Sequence, residues 1–353
     1  MFRRLFKWIT RGPAPQQIKE GTHSASVTHV IILDGTMSSL SVGRETNAGH
    51  VFKLLQEVGE SPQLSVYYEP GIQWFDWRTT WDVMVGRGIN RQIRRAYGYL
   101  ASRYRAGDKI VLVGFSRGAY AVRSLAGMVD QIGLLQREHA TVRNIRTAYR
   151  HYESGSNSDV RRAFSDAHCH PETPIEMIGV WDTVKALGLR LPLLWRITEK
   201  KHLFHSHTLG QNVRHGFHAL ALDETRRAYM PVKWETRPDW RGLQMEQVWF
   251  RGTHGDVGGQ IGAYVADRGL ANIPLNWMLG HLDHCGVPLP RDWRGRFVEN
   301  PNAPSTGNWR GLSVVFLSRK RRRVGLDPSE AIHPLAVEMR RGVRRLSQVR
   351  VAE

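Results

Sequence analysis

The chain has 353 residues, of which 41% are hydrophobic and 23% are charged, and its formal net charge is +18. This length and composition exclude a disordered chain, a collagen-like chain and a multi-span membrane protein, and they are sufficient for a large hydrophobic core. The two cysteines, Cys169 and Cys285, are too few for a disulfide framework or a cysteine-based zinc site. The fold must therefore be held together by its core.

The excess positive charge is concentrated at the two ends of the chain. Residues 1–12 carry four basic and no acidic side chains, and residues 319–353 carry ten basic and four acidic ones. Basic ends on a modestly basic body are expected to be tails that meet an anionic surface, either phospholipid or nucleic acid. The run RKRRR at 319–323 has no nucleic-acid-binding signature beside it, which argues against a nucleic-acid partner.

Neither a membrane span nor a secretory leader is predicted. No apolar run is long enough for a transmembrane helix, and the first residues lack the continuous apolar stretch of a signal peptide. Residues 2–9 mix apolar and basic side chains, which fits a short interfacial helix or a solvated terminus. We therefore expect a protein of the cytoplasm or the membrane periphery, or one that is exported by a signal-independent route.

Apolar strands alternate with helices after a polar linker at 13–26. The first strand, 27–33, is β-branched and nearly all apolar, as is typical of a strand buried on both faces. Further strands are predicted at 63–68, 109–113, 175–181 and 247–251. Helices are predicted at 46–58, 88–105, 119–129, 136–152 and 209–221. This alternation predicts an α/β fold with a mainly parallel sheet and helices on both faces.

Two long irregular stretches, 70–87 and 185–208, interrupt this alternation. The first contains Trp74, Trp77 and Trp81, which form either an apolar rim for acyl chains or core beneath a long loop. Long connections at a parallel sheet indicate cap-like insertions. We therefore predict three parts: a basic N-terminal segment and linker at 1–26, an α/β domain at 27–290, and a basic C-terminal extension at 291–353.

The sequence GFSRG at 114–118 stands directly between a predicted buried strand and a helical run. In a G-x-S-x-G turn the serine adopts a strained backbone conformation that lifts its hydroxyl above the sheet, while Gly114 and Gly118 let the strand and the helix approach closely. The amide groups at the start of the helix face developing negative charge. Ser116 is therefore the predicted nucleophile.

A catalytic serine needs a base, and the base needs an acid that orients it. Asp182 and His254 each follow a predicted strand, so both belong to the same edge of the sheet as Ser116. The chain order Ser, Asp, His is that of an α/β-hydrolase. Asp256 is a second candidate for the acid, and it is otherwise a supporting residue that holds the loop among the glycines.

Two turns could bind the tetrahedral oxyanion of an ester hydrolase. One donor is the amide of Arg117, directly after the nucleophile, and the other is the amide of Gly35 or Thr36 in the first strand–helix turn. Asp34 is expected to fix this turn as a supporting residue. An ordinary Asp-Gly turn remains the alternative.

A group of histidines lies in and after the second irregular stretch, at His202, His205, His207, His215 and His218. The spacing of the first three, with no carboxylate or thiolate among them, fits no usual zinc motif. We expect a solvated basic loop and no metal site. Ser/Asp/His chemistry also needs no cofactor.

Five segments resemble the DUF2235 family in the same order along the chain. They are LDGT at 33–36, GFSRGAYAVRSLAGMV at 114–129, IGVWDTVKALG at 178–188, HALALDETRR at 218–227 and VWFRGTHGDVGG at 248–259. That family includes the catalytic domain of Tle1-type phospholipase effectors of type VI secretion. The resemblance spans residues 27–290. It implies an α/β-hydrolase fold, hydrolysis of esters such as phospholipid acyl chains, and a triad of Ser116, Asp182 and His254.

The chain departs from the family pattern at several positions. Met37 and Ser38 stand where relatives tend to have Trp-Asn or a similar pair, and Arg251 and Gln260 replace a proline and a glycine around the histidine motif. These departures predict a different entrance to the pocket.

The sequence thus predicts a serine esterase or phospholipase that works through an acyl-enzyme, with a lipid or another ester as its substrate. The alternative is a non-catalytic protein on a hydrolase scaffold that binds anionic membranes or nucleic acid through residues 1–12 and 319–353. The complete order of serine, aspartate and histidine favours the enzyme.

Overall fold

The computed structural model describes nine stretches of the chain. They are 16–18, 26–59, 61–71, 87–155, 158–184, 208–262, 268–308, 317–338 and 350–352. Several predictions lie outside the described residues. They are the predictions for residues 1–12, for Trp74, Trp77 and Trp81, and for His202, His205 and His207.

An eight-stranded sheet forms the centre of the described fold. Its strands are β1 (Gln16–Ile18), β2 (Thr28–Leu33), β3 (Leu64–Glu69), β4 (Lys109–Phe115), β5 (Ile175–Trp181), β6 (Val213–Ala221), β7 (Gln244–Phe250) and β8 (Glu330–Ile332). Their order across the sheet is β1-β3-β2-β4-β5-β6-β7-β8. The strand β1 pairs antiparallel with β3, and every other pair of neighbours is parallel.

Helices cover both faces of this sheet. They are α1 (Asn47–Val58), α2 (Arg87–Ala101), α3 (Arg117–Ile132), α4 (Val142–Ser154), α5 (Asp159–His168), α6 (His254–Gly258), α7 (Arg268–His284), α8 (Trp293–Arg296) and α9 (Pro334–Glu338). The apolar sides of α1 and α7 belong to one core cluster, and those of α2, α3 and α4 belong to the other. None of the helices in the described ranges combines the length and the apolar character that crossing a bilayer requires.

The strand β4 explains why the predicted strands are apolar throughout. Ile110 and Leu112 pack in the cluster of α2, α3 and α4, while Val111 and Val113 pack in the cluster of α1 and α7. Successive side chains of a strand point to opposite faces, so a strand that is covered on both faces has no polar side. The predicted α/β fold with a mainly parallel sheet and two helical layers is confirmed.

The predicted helix at 209–221 is wrong. Val213–Ala221 instead form β6, which pairs in parallel with β5 on one side and β7 on the other. Phe217 and Ala219 are fully buried. Alanine and leucine favour helices when they are considered alone, but pairing on both edges and burial on both faces outweigh that preference here.

Residues beyond the predicted boundary at 290 contribute to the same sheet. The strand β8 pairs with β7, and its buried Glu330 forms an ion pair with Lys233 and accepts a hydrogen bond of 2.8 Å from Trp249 Nε1. The interpretation of RKRRR at 319–323 as a solvated tail is wrong for Arg322, which is 8% exposed. Its guanidinium pairs with Asp182, because the C-terminal segment returns to the carboxyl edge of the sheet.

Candidate active site

Ser116 stands at the sharp turn between β4 and α3, with φ 57° and ψ −119°. This left-handed backbone is strained for a residue with a side chain, and its amide is held by a hydrogen bond of 3.0 Å to the carbonyl oxygen of Trp181. The flanking glycines are needed because a Cβ on Gly118 would lie 2.0 Å from the carbonyl oxygen of Leu33, and one on Gly114 would overlap the start of α3. The turn therefore has the geometry expected of a nucleophile elbow.

Three predicted residues meet at the carboxyl edge of the sheet. Ser116 Oγ lies 2.9 Å from His254 Nε2, and His254 Nδ1 lies 2.5 Å from Asp182 Oδ2. All three side chains are buried. When the imidazole is neutral and donates Nδ1–H to the aspartate, its Nε2 can accept the serine proton. The arrangement is chemically that of a nucleophile, a base and an orienting acid.

Asp256 makes a different set of contacts. Its carboxylate accepts hydrogen bonds from the amides of Thr253 and Thr306 at 2.7 and 2.9 Å, and from the hydroxyls of Thr253 and Ser305 at 2.9 and 2.5 Å. Asp256 thereby caps α6 and ties it to residues 305–306. These contacts fit the interpretation of Asp256 as a supporting residue that holds the loop.

Aromatic and charged groups hold the histidine in place. The ring of His254 packs against Phe115 and Tyr229, with centroid distances of 4.9 and 4.7 Å, and its amide donates to Glu224 Oε2 at 3.2 Å. Arg226 pairs with Glu224 through two nitrogens and stacks over Tyr229 at 4.0 Å. Burial raises the pKa of the Glu224 carboxyl, but the hydrogen bonds from Arg226 lower it by a larger amount. The pKa therefore lies below its usual value. The segment HALALDETRR thus supports the imidazole.

The two predicted oxyanion turns lie beside Ser116. The Gly35 amide donates to Asp34 Oδ1 at 2.7 Å, which leaves Thr36 as the candidate donor of this turn. The amides of Thr36 and Arg117 donate to no acceptor within the described part of the chain. A Cβ on Gly35 would lie 3.4 Å from the Cβ of Ser116, so the turn adjoins the nucleophile. Both amides could therefore donate to a substrate oxygen.

Asp34 fixes the first of these turns. Besides the Gly35 amide, its carboxylate accepts hydrogen bonds from Thr46 Oγ1 at 2.6 Å and Tyr68 Oη at 2.8 Å. Burial raises the pKa of Asp34 to about 6, although these hydrogen bonds oppose the shift. The side chain joins the turn to the start of α1 and to β3, which corresponds to its predicted supporting role.

Comparison with known proteins identifies the family. The model of the type VI secretion phospholipase effector Tle1-like catalytic domain matches residues 28–281. The chain belongs to this Tle1-like family. A curated relative, an uncharacterized protein of Saccharomyces cerevisiae, is 27% identical over an alignment of 241 residues that covers 60% of this chain and 33% of the relative. The chain thus spans about a third of the length of that relative.

Several solved structures are similar to this Tle1-like chain at low identity. An uncharacterized protein from Pseudomonas aeruginosa is 15% identical with a TM-score of 0.44, covering 82% of this chain and 50% of that one. The Tle1 effector bound to the VgrG spike of the Type 6 secretion system is 17% identical with a TM-score of 0.34, covering 72% and 59%. Apo esterase 2 of Thermogutta terrifontis is 11% identical with a TM-score of 0.40, covering 78% and 91%.

Two departures of this chain from the Tle1-like pattern act as loop supports. Gln260 Nε2 donates a hydrogen bond of 2.8 Å to the carbonyl oxygen of Thr36, in the turn that adjoins Ser116. Arg251 Nη1 donates to the carbonyl oxygens of Pro301 and Ala303 at 2.7 and 2.8 Å. One departure therefore fixes a candidate oxyanion turn, and the other fixes part of the C-terminal segment.

Arg322 is a residue of the site that no motif in the sequence predicts. Its Nη1 and Nη2 donate to the two oxygens of Asp182 at 2.5 and 2.9 Å, and its side chain is 1% exposed. It also donates to the carbonyl oxygens of Ala221, at 2.8 Å, and Tyr229. No local pattern separates Arg322 from the other basic residues of the run 319–323, so composition alone could not have found it.

Asp182 accepts hydrogen bonds on both oxygens. The donors are His254, the two guanidinium nitrogens of Arg322 and the amide of Ala221, the last at 3.0 Å. Burial raises the pKa of the carboxyl, but the charge of Arg322 and the hydrogen bonds from His254 and Arg322 outweigh it and hold the pKa well below its usual value. Asp182 is therefore ionised at neutral pH.

His215 and His218 lie on β6 and both are buried. His218 Nε2 accepts a hydrogen bond of 3.1 Å from the amide of Thr183, and burial lowers its pKa to about 3, so the ring is neutral. His218 thus supports the turn after Asp182. Across the described residues, no group of three or more histidine, cysteine or acidic side chains is arranged to hold a metal ion.

Proposed function

We propose that this Tle1-like chain is a serine hydrolase that cleaves carboxylic esters, in particular the acyl esters of phospholipids. The observation that carries the proposal is the continuous chain of hydrogen bonds from Ser116 Oγ through the His254 imidazole to Asp182. Membership of a phospholipase effector family supports the lipid class of the substrate.

Acylation begins when His254 Nε2 takes the proton of Ser116 Oγ and the oxygen attacks the acyl carbonyl carbon. The Thr36 and Arg117 amides donate hydrogen bonds to the oxyanion of the tetrahedral intermediate. Collapse of the intermediate breaks the ester C–O bond, and the imidazolium gives its proton to the leaving alcohol. Ionised Asp182 stabilises the imidazolium during this step.

Deacylation repeats the same proton transfers with water as the nucleophile. The imidazole of His254 takes a proton from water, the hydroxide attacks the acyl-enzyme, and the oxyanion is bound by the same two amides. Release of the acid returns the proton to Ser116. Each proton therefore moves through one histidine nitrogen, Nε2, which explains why the ring must be held in one orientation.

The first test is substitution of the nucleophile. Ser116→Ala is expected to abolish ester hydrolysis and fluorophosphonate labelling, because no other group replaces the attacking oxygen. The matched control is Ser124→Ala in α3, the helix that follows Ser116. It removes a buried hydroxyl that donates a hydrogen bond of 2.8 Å to the Tyr120 carbonyl. The control should keep both activities. Turnover by the Ser116 variant at the wild-type rate would exclude this mechanism.

The second test identifies the bond that is cleaved. The purified chain is incubated with mixed phospholipid vesicles, and the products are identified by mass spectrometry. Hydrolysis of an acyl ester releases a fatty acid and a lysophospholipid. Release of a phosphorylated headgroup instead, or no product with the wild type, would contradict the proposed substrate class.

The place of action follows from the same proposal. We infer peripheral contact with anionic membrane through the basic residues of 1–12 and those of 319–353 other than the buried Arg322. A signal-independent export route is consistent with membership of a secretion effector family. The net charge is the physical basis for membrane contact, because lysine and arginine near an anionic leaflet each strengthen binding.

A further inference from the structure

The carboxylate of Asp182 accepts hydrogen bonds from the Arg322 guanidinium as well as from His254. Oδ1 accepts from Arg322 Nη1 and the Ala221 amide, while Oδ2 accepts from Arg322 Nη2 and His254 Nδ1. Two parallel N–H donors of one planar fork fix the plane of a carboxylate as well as its position. The direction in which Asp182 faces the imidazole therefore depends on Arg322.

Burial makes this dependence strong. Asp182 is fully buried, so solvent cannot take the place of these donors around the carboxylate. An ionised carboxylate in such a place requires a compensating cation. The imidazole of His254 is charged only during part of the reaction, whereas the guanidinium is charged throughout. Arg322 keeps Asp182 ionised in both states of the histidine.

Arg322 reaches the site only because the C-terminal segment docks beside it. Backbone hydrogen bonds connect this segment to the loop after β6: the Arg227 amide donates to the Ser318 carbonyl at 3.0 Å, and the Lys320 amide donates to the Thr225 carbonyl at 2.7 Å. The same loop carries Tyr229, whose ring packs on His254. Docking of residues 317–323 thus orders the triad acid and the base together.

We propose that Arg322 is a positioning residue of the active site, which fixes Asp182 against His254 and makes the competence of the triad depend on the docked C-terminal segment. The catalytic part of this proposal rests on the proposed function. The guanidinium touches neither the substrate nor Ser116 and acts only through Asp182. Its removal should therefore affect the chemical step, and it should leave substrate binding unchanged.

The kinetic test compares Arg322→Met and Arg322→Lys with the wild type on a soluble ester. Arg322→Met should lower kcat by about 100-fold with KM unchanged, because Asp182 no longer holds the His254 imidazole in the orientation that proton transfer requires. Arg322→Lys keeps the charge and loses the fork, so it should recover only part of the lost kcat. Arg321→Met and Arg323→Met, which replace exposed neighbours, are the controls and should match the wild type.

A double-mutant cycle separates positioning from a general structural role. In the Asp182→Asn background, Arg322→Met should cause little further loss of kcat, because Arg322 acts through the carboxylate. The double variant also contains no unpaired buried charge, so it should fold even where Arg322→Met alone is unstable. Losses that multiply in the double variant would overturn the proposal, and so would a wild-type kcat in Arg322→Met.

A substrate-free measurement keeps this inference distinct from the proposed function. The proton that His254 Nδ1 shares with Asp182 should give a far-downfield NMR resonance, assigned by its loss in His254→Ala. The resonance should vanish or shift in Arg322→Met and persist in Arg321→Met. If the wild type hydrolyses no ester, the proposed function fails, but the resonance still tests the positioning. A resonance that is unchanged in Arg322→Met would overturn it.

Discussion

At the scale of single residues, the candidate site is assembled from side chains that meet across long separations in the sequence. Gln260 holds the Thr36 carbonyl, and Arg322 holds Asp182, although each pair is separated by more than a hundred positions. The first contact satisfies a partly buried carbonyl and the second a fully buried carboxylate, and a buried group that loses its partner has no water to replace it. The geometry of the site therefore depends on residues that take no part in the proposed chemistry.

Gln260 provides a test of this dependence. Gln260→Ala should lower kcat by about tenfold with little change in KM, because the turn that carries the Thr36 amide then loses one of the hydrogen bonds that hold it beside the developing oxyanion. Gln260→Glu should be at least as impaired, since an ionised carboxylate cannot donate to a carbonyl oxygen. The measurement is steady-state hydrolysis of a soluble ester.

The control for Gln260 is a glutamine with the same kind of contact elsewhere in the fold. Gln136 Nε2 donates to the carbonyl oxygen of Cys169 at 3.0 Å, and Gln136→Ala should keep the wild-type kcat. If both alanine variants lose the same fraction of activity, the effect is general destabilisation, and the role of Gln260 at the oxyanion turn is refuted.

Sequence reasoning could place Ser116, Asp182 and His254 together because each follows an apolar strand, and the carboxyl ends of parallel strands share one edge. No pattern in the sequence predicts the contact of Arg322 with Asp182. The segment that contains Arg322 follows no buried strand or strong helix, and its basic composition is typical of a solvated tail. A contact between the chain end and the middle of the sheet depends on the whole tertiary structure.

At the scale of secondary-structure elements, burial decides the outcome more often than intrinsic preference. The strand at 175–181 was predicted with its observed bounds because its residues are apolar on both faces. A helix is predicted in place of β6, because the alanines and histidines of this segment do not by themselves favour a strand. The strand β8 has three residues and is too short for a pattern to show. The buried Glu330 links this strand to Lys233 and Trp249.

Glu330→Ala tests how strongly β8 is attached. The variant should lower the free energy of unfolding by about 3 kcal/mol, because Lys233 loses its buried counter-ion and Trp249 Nε1 loses its acceptor. Urea unfolding followed by fluorescence measures the change. The matched control is Asp239→Ala, which breaks an exposed pair with Arg237 and should leave the unfolding midpoint unchanged. Equal midpoints for the Glu330 variant and the wild type would show that β8 contributes little to stability.

At the scale of the whole molecule, the excess of positive charge divides between two roles. Arg322 is buried on Asp182 and is not available to a partner, whereas its neighbours Lys320, Arg321 and Arg323 are exposed beside the segment that completes the site. Part of the charge that the sequence assigned to a tail therefore stabilises the interior. The exposed part lies in the same short segment, so membrane contact there would act close to the residues that order the triad.

The variant Lys320→Gln/Arg321→Gln/Arg323→Gln tests this surface. It should weaken binding to vesicles that contain anionic phosphatidylglycerol by up to about 100-fold, since each basic residue near the surface contributes about 1 kcal/mol. Its kcat on a soluble ester should stay at the wild-type value, because the three side chains do not contact the triad. Added salt should weaken the wild type toward the variant.

The control removes the same number of charges elsewhere, with Arg143→Gln/Arg146→Gln/Arg150→Gln on the exposed side of α4. Vesicle sedimentation with both variants separates a local surface from net charge. An equal loss in both variants would mean that the overall charge alone drives binding. Selective weakening of the 320–323 variant would instead place the membrane beside the segment that holds Arg322, so that docking on lipid and ordering of Asp182 would involve the same stretch of chain. Retention of DNA with no preference for anionic lipid would contradict the membrane assignment.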